Sequence, residues 1–140
     1  MKTLFPILLV LCLLGTACKK IGGEYNTNCG NIDIQLTGNQ DTDMAELNTR
    51  YNEIQEMVAD RSAGNASQCH TMAVGDKPCG GPATYIIYSS RSVDESELED
   101  RVCYYTAFNT AINEEYGLVS DCALEAAPAI ELRDGTCQAQ

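Results

Sequence analysis

His70 is the only histidine of the chain, and it is the first residue to test for chemistry. As a general base it needs a nucleophile, which Ser89, Ser90 or Ser92 could supply, and a carboxylate behind the ring. His70 instead adjoins Cys69 in a stretch of strand composition, and no nucleophile-elbow sequence accompanies it. A structural or surface histidine is the simpler reading. One histidine is also poor equipment for zinc. The twenty acidic residues make a chance carboxylate pair easy to find, but glycoside hydrolysis needs a defined separation that sequence does not give. Asn39, Asp41 and Asp43 superficially outline a calcium loop. The glycine and the twelfth-position glutamate of an EF-hand are missing, so no metal and no cofactor is assigned.

The cysteines carry a stronger message, and the first segment explains it. Met1–Ala17 reads as a leader: Lys2 is the charged start, Leu4–Leu14 the apolar run, and Gly15-Thr16-Ala17 the small residues before a cleavage point. The run is too short for a mature membrane span. Of eight cysteines, Cys12 leaves with the leader. Cys18 would begin the mature chain. Six remain: Cys29, Cys69, Cys79, Cys103, Cys122 and Cys137. An even number in an exported chain implies three disulfides, which leaves no thiolate for catalysis. Leu14-Gly15-Thr16-Ala17-Cys18 resembles a bacterial lipobox. That resemblance implies a diacylglyceryl thioether and an amine-linked acyl chain on Cys18. Several chains, at about 0.8 kcal/mol per buried methylene, hold a protein firmly to a membrane. Cys18-Lys19-Lys20 also resembles the start of lipoproteins of the Bacteroidota. The expected location is therefore the cell envelope, lipid-anchored, with its face and membrane open.

Loss of Lys2 with the leader takes the net charge from −11 to −12. Such a field repels a phosphate backbone, so nucleic acid is excluded as a partner. It would favour a basic protein partner, although solubility alone also accounts for it.

The stretch Gln68–Ser90 organises the rest. Cys69–Val74 and Thr84–Tyr88 (TYIIY) have the composition of two strands. Between them Gly75-Asp76-Lys77-Pro78-Cys79-Gly80-Gly81-Pro82 breaks the ladder, since proline donates no hydrogen bond and glycine reaches positive φ. The cysteine in its middle points to a stapled turn. The sharper reading is a binding loop formed by Asp76, Lys77, Pro78, Gly80, Gly81 and Pro82, with Tyr85 and Tyr88 beside it. Tyr85 and Tyr88 are three apart on a strand, so they face opposite sides. Tyr104 and Tyr105 likewise diverge on a helix. A phosphate cradle is disfavoured, because no helix with a lysine–hydroxyl pair follows the glycines.

Gln68-Cys69, Cys79-Gly80-Gly81-Pro82, Tyr85, Tyr88-Ser89, Gly117 and Ser120-Asp121-Cys122 fall in one order. In that order they resemble a family of small bacterial secreted proteins and lipoproteins without an established activity. The resemblance covers about Gln68–Cys137. The family tail often ends C-x-x-G-x-C; here Gly135 and Cys137 fit, but Leu132 stands at the first cysteine. Cys103 is an addition, so no disulfide pairing is carried over.

The elements that would position these residues follow in order. Residues 18–28 are a lipidated tether, and 29–140 form one domain. Ile32, Ile34 and Leu36 alternate with polar residues as a short strand. Asp41–Ala63 is a helix, capped by Asp41 or Thr42, with Met44, Leu47, Tyr51, Ile54 and Val58 inward and Glu46–Arg50 outward. Gly64-Asn65 stops it. Asp94–Tyr116 is a second helix, capped by Ser92 or Asp94. Its acidic first turns suit the helix dipole, and Leu98, Val102, Tyr105, Phe108 or Asn109, and Ile112 face inward. Cys103 lies beside that stripe. Leu118–Leu124 and Ala129–Leu132 read as last strands. The order β-α-β-β-α-β implies an α+β domain, two helices on a short antiparallel sheet.

The leading functional expectation is a membrane-anchored, non-catalytic binding module, in one version an inhibitor of an extracellular hydrolase. The alternatives are a small envelope enzyme using His70 and nearby carboxylates, and a purely structural envelope lipoprotein.

Overall fold

The computed structural model describes residues 29–140. The leader, Cys18 and the tether lie outside the described residues. The elements are α1 (Gln40–Met57), β1 (Cys69–Val74), β2 (Thr84–Ser89), α2 (Glu95–Glu115), β3 (Ile130–Arg133) and β4 (Thr136–Ala139).

The β1–β2 hairpin is the middle layer. Its antiparallel register pairs His70 with Tyr88, Met72 with Ile86 and Val74 with Thr84. Paired residues share a face of the pleat. On that face Val74, Ile86 and Tyr88 meet Ile54 and Val58 at the end of α1 and Leu98 and Val102 of α2. The opposite face carries Cys69 and Ile87. These pack with Ala63, Cys137, Ile130 and Leu132, so the β3–β4 hairpin covers it. Two helices on an antiparallel hairpin, stapled by three disulfides, form the α+β domain the sequence implied.

The details differ at several places. Ile32, Ile34 and Leu36 are covered in alternation as expected, but the segment pairs with no strand. It lies on the helices instead, where Ile34 and Leu36 pack against Leu47, Phe108 and Ile112. The cap of α1 is Asn39, whose side-chain Oδ1 accepts the Thr42 N–H at 3.0 Å. The helix also ends at Met57, earlier than Ala63. Beyond it the backbone turns to β4: the Ala63 N–H donates to the Gly135 carbonyl, and the Cys137 N–H to the Arg61 carbonyl. Asn65 then caps a short 3-10 turn, Ala66–Gln68, rather than ending α1.

Leu118–Leu124 is not a strand. Side chains there capture the backbone: the Ser120 hydroxyl accepts the Cys122 N–H, and the Asp121 carboxylate accepts the Ala123 N–H. Such local bonds compete with a ladder. Cys122 also has φ of 54°, outside the strand region. Finally, β4 was not anticipated. Asp134-Gly135 makes a two-residue turn with both φ positive, and this returns the chain onto β3.

Candidate functional site

The six cysteines are all paired: Cys29–Cys103, Cys69–Cys137 and Cys79–Cys122. Each pair joins a different layer. Cys29–Cys103 fastens the N-terminal segment to α2, and Cys69–Cys137 joins the two hairpins. Cys79–Cys122 ties the 75–82 loop to the segment that leaves α2. Cys69, Cys103 and Cys137 are buried, whereas Cys79 and Cys122 are both exposed.

The loop is built onto α2 by a polar ladder. Thr106, Asn109 and Asn113 step by three and four, so they share one helix face. The Thr106 hydroxyl accepts the Gly75 N–H at 3.1 Å, and the Asn109 side chain accepts the Asp76 N–H at 2.8 Å. The Asn113 amide donates to the Asp76 carbonyl at 2.7 Å. The Thr110 hydroxyl contacts the Asp76 carboxylate at 3.5 Å. Backbone bonds close the loop on itself, from the Lys77 N–H to the Gly81 carbonyl and from the Gly80 N–H to the Lys77 carbonyl. Gly75 is required where it stands. Its φ is +73°, and an added Cβ would lie 2.9 Å from Asn109 Oδ1 and 3.0 Å from Ala83 Cβ.

Lys77 turns inward. Its ammonium donates to the Ala123 carbonyl at 2.8 Å and pairs with Glu125 at 3.2 Å and Asp121 at 3.6 Å. Only 14% of its side chain is exposed, against 75% for Asp121. The Ala123 N–H bond, then the nearby ammonium, holds the Asp121 carboxyl below its usual range. Lys77 is therefore a clamp on residues 121–125 rather than a free contact. Pro78, Cys79 and Gly80 form the exposed tip, and Gly81 and Pro82 are half-covered.

The tyrosines divide as their spacing implied. Tyr88 is buried in the core and Tyr85 is half-buried on the other face. The Tyr88 hydroxyl donates to Glu95 at 2.9 Å. Burial first, and this carboxylate second, push its ionisation far above the ordinary tyrosine range. His70 stacks on the Tyr88 ring, centroids 5.4 Å apart. Ser89 belongs to the opposite face, where its hydroxyl donates to the Ser62 carbonyl at 2.8 Å. The Ser92 hydroxyl donates to the Asp60 carbonyl. Neither hydroxyl is directed to His70. Tyr104 and Tyr105 diverge: Tyr105 tilts against Tyr51, and Tyr104 lies under the Arg50 guanidinium. Among the described residues, no group of three or more His, Cys, Asp or Glu is placed to hold a metal ion. No helix among them is long and apolar enough to cross a membrane.

Asp43, weighed in the sequence only as part of a rejected calcium loop, is a buried structural carboxylate. Asp43, 1% exposed, accepts the Tyr116 hydroxyl at 2.5 Å and both the N–H and the hydroxyl of Thr37. The Tyr116 bond, foremost, keeps Asp43 ionised below the ordinary carboxylate range, and in turn Tyr116 is pushed up to about 12. The group pins the ends of α1 and α2 and the strand-like segment together. Nothing in the Asn39, Asp41, Asp43 spacing, nor in an acidic residue of a first helical turn, announces the distant Tyr116 partner. The α2 ladder was legible in principle as a Thr/Asn stripe beside the apolar one.

No protein-family model matches this chain, and no curated protein or solved structure is detectably similar to it.

Proposed function

We propose that this protein is an exported, lipid-anchored, non-catalytic binding module that presents the 76–82 loop to a protein partner. One observation carries the reading. The loop contributes few side chains to the core, yet a disulfide, a mostly covered lysine and three α2 side chains hold it in place. A loop fixed before contact loses less conformational freedom on binding, which favours recognition. An anchor at Cys18 followed by the 19–28 tether would display the domain from a membrane. Inhibition of an extracellular hydrolase is a specific form of this function, with the loop tip entering the enzyme.

The test compares capture from envelope and secreted fractions by the native protein and by Pro78→Arg and Gly80→Arg variants. Melting temperatures and disulfide masses serve as folding controls. Loss of one discrete partner with the fold intact is the expected result. A tip-independent capture, or turnover that His70→Ala abolishes, would replace binding by a structural or catalytic role.

A further inference from the structure

Val119 and Leu124 are large aliphatic side chains left 92% exposed. They stand three residues before and two residues after Cys122, in a segment without regular structure. That segment is nonetheless fixed. Cys122 is bonded to Cys79, Lys77 grips Asp121, Ala123 and Glu125, and Ser120 and Asp121 close local turns. Cys122 is held in the left-handed region, φ 54°, which a non-glycine residue adopts at a cost. Strain and clamping thus maintain two apolar side chains in water, where neither adds to the core. On a folding criterion this is a local conflict, and such conflicts mark functional surfaces.

The charge around the pair is mainly acidic. Asp121 and Glu125 both pair with Lys77 yet keep 75% and 48% of their side chains exposed, whereas Lys77 keeps only 14%. The last turn of α2, from which the segment departs, holds Glu114 and Glu115 and no base. Carboxylates at a helix C-terminus oppose the helix dipole, so helix stability does not explain them. Anionic lipid headgroups would be repelled by this rim.

We propose that Val119 and Leu124, displayed on either side of Cys122 beside the loop tip, form the apolar centre of a docking surface for a cationic protein whose apolar cleft is rimmed by lysine or arginine. The proposal rests on the binding-module reading and names the chemistry of its partner. The two side chains fill the cleft, and Asp121 and Glu125 meet its basic rim. Complementary charge sets encounter rate and partner choice, and the buried aliphatics set residence time.

The experiment places a photo-crosslinking benzoylphenylalanine at position 119, 124 or 80 of the full chain, in the cells that produce it. Val119 and Leu124 project into solvent, so the replacement leaves the fold in place. The expected adduct at positions 119 and 124 is a protein of isoelectric point above about 9. With the crosslinker at 124, Val119→Ser lowers the yield by at least ~10-fold. Asp121→Asn with Glu125→Gln, which keep acceptors for Lys77, lower it by at least ~3-fold. A phospholipid adduct, an acidic protein, or a yield indifferent to these substitutions overturns the proposal. An adduct at position 80 with none at 119 or 124 sinks it while leaving the loop reading intact. No adduct at any of the three removes both.

Discussion

Graded reduction should open Cys79–Cys122 before either other disulfide. An attacking thiolate must reach a sulfur. Cys79 and Cys122 are both exposed, while Cys103 is 8% exposed, Cys69 7% and Cys137 0%. The cross-link spans 43 residues, for which the chain-entropy relation gives about 4 kcal/mol of stability through restriction of the unfolded chain. A domain of about 110 residues has an unfolding entropy near 230 cal/mol/K, so this loss corresponds to about 15–20 °C in melting temperature. The assay is titration with a mild thiol, alkylation at each step, peptide mapping by mass spectrometry and a melt of the resulting species. Labelled Cys79 and Cys122 should accumulate in a chain that still melts cooperatively on its two remaining disulfides, each with at least one buried cysteine. Earlier labelling of Cys69, Cys137 or Cys103, or simultaneous opening of all three bonds, would refute the reasoning from burial.

Other expectations follow from the same structure. Gly75→Ala combines a left-handed backbone with a clash on Asn109 and should cost about 2 kcal/mol or more, read from the urea midpoint. Ile112 is fully buried, so Ile112→Ala should cost about 2–5 kcal/mol by transfer and cavity formation, measured the same way. The Asp43–Tyr116 bond links stability to pH at both ends. The folded-state pKa of Asp43 lies below the ordinary 3.8, so its contribution is present above about pH 4 and is lost as pH falls through the folded value. Tyr116 is raised from 10 to about 12, so its contribution is complete below pH 10 and lost as pH rises through about 12. The melting-temperature gap between wild type and Asp43→Asn should therefore narrow from pH 6 to pH 3, and a constant gap would contradict the assignment.

Much of this architecture was legible because it rests on periodicity. Leu47 and Ile54 of α1 with its C-cap residue Val58, and Leu98, Val102, Phe108 and Ile112 of α2, recur at helical spacing and form much of the observed core. The β1–β2 hairpin was marked by β-formers around a Gly/Pro loop. What failed was context. Ile32–Leu36 alternates like a strand, yet alternation reports only that one side is covered; here helices cover it and no strand edge lies beside it. Leu118–Leu124 has strand-like residues, but local capture by Ser120 and Asp121 decides its path. The helix past Met57 was abandoned for bonds to β4, a partner about 75 residues away that no local pattern announces. At the candidate site the loop and its cysteine were visible in sequence. That Lys77 also clamps residues 121–125 was not legible, because its partners there lie more than 40 residues away in sequence, beside the Cys79–Cys122 bond.

The central claim is that the 75–82 loop and the 118–125 segment form one platform fixed before any partner arrives. Backbone relaxation measured by NMR on the native, oxidised protein tests it most directly. Order parameters near 0.85 at Lys77–Gly81 and Val119–Leu124, equal to those of α2, are the expected result. Values below about 0.6 at the tip or around Cys122 would show a flexible loop and contradict the platform.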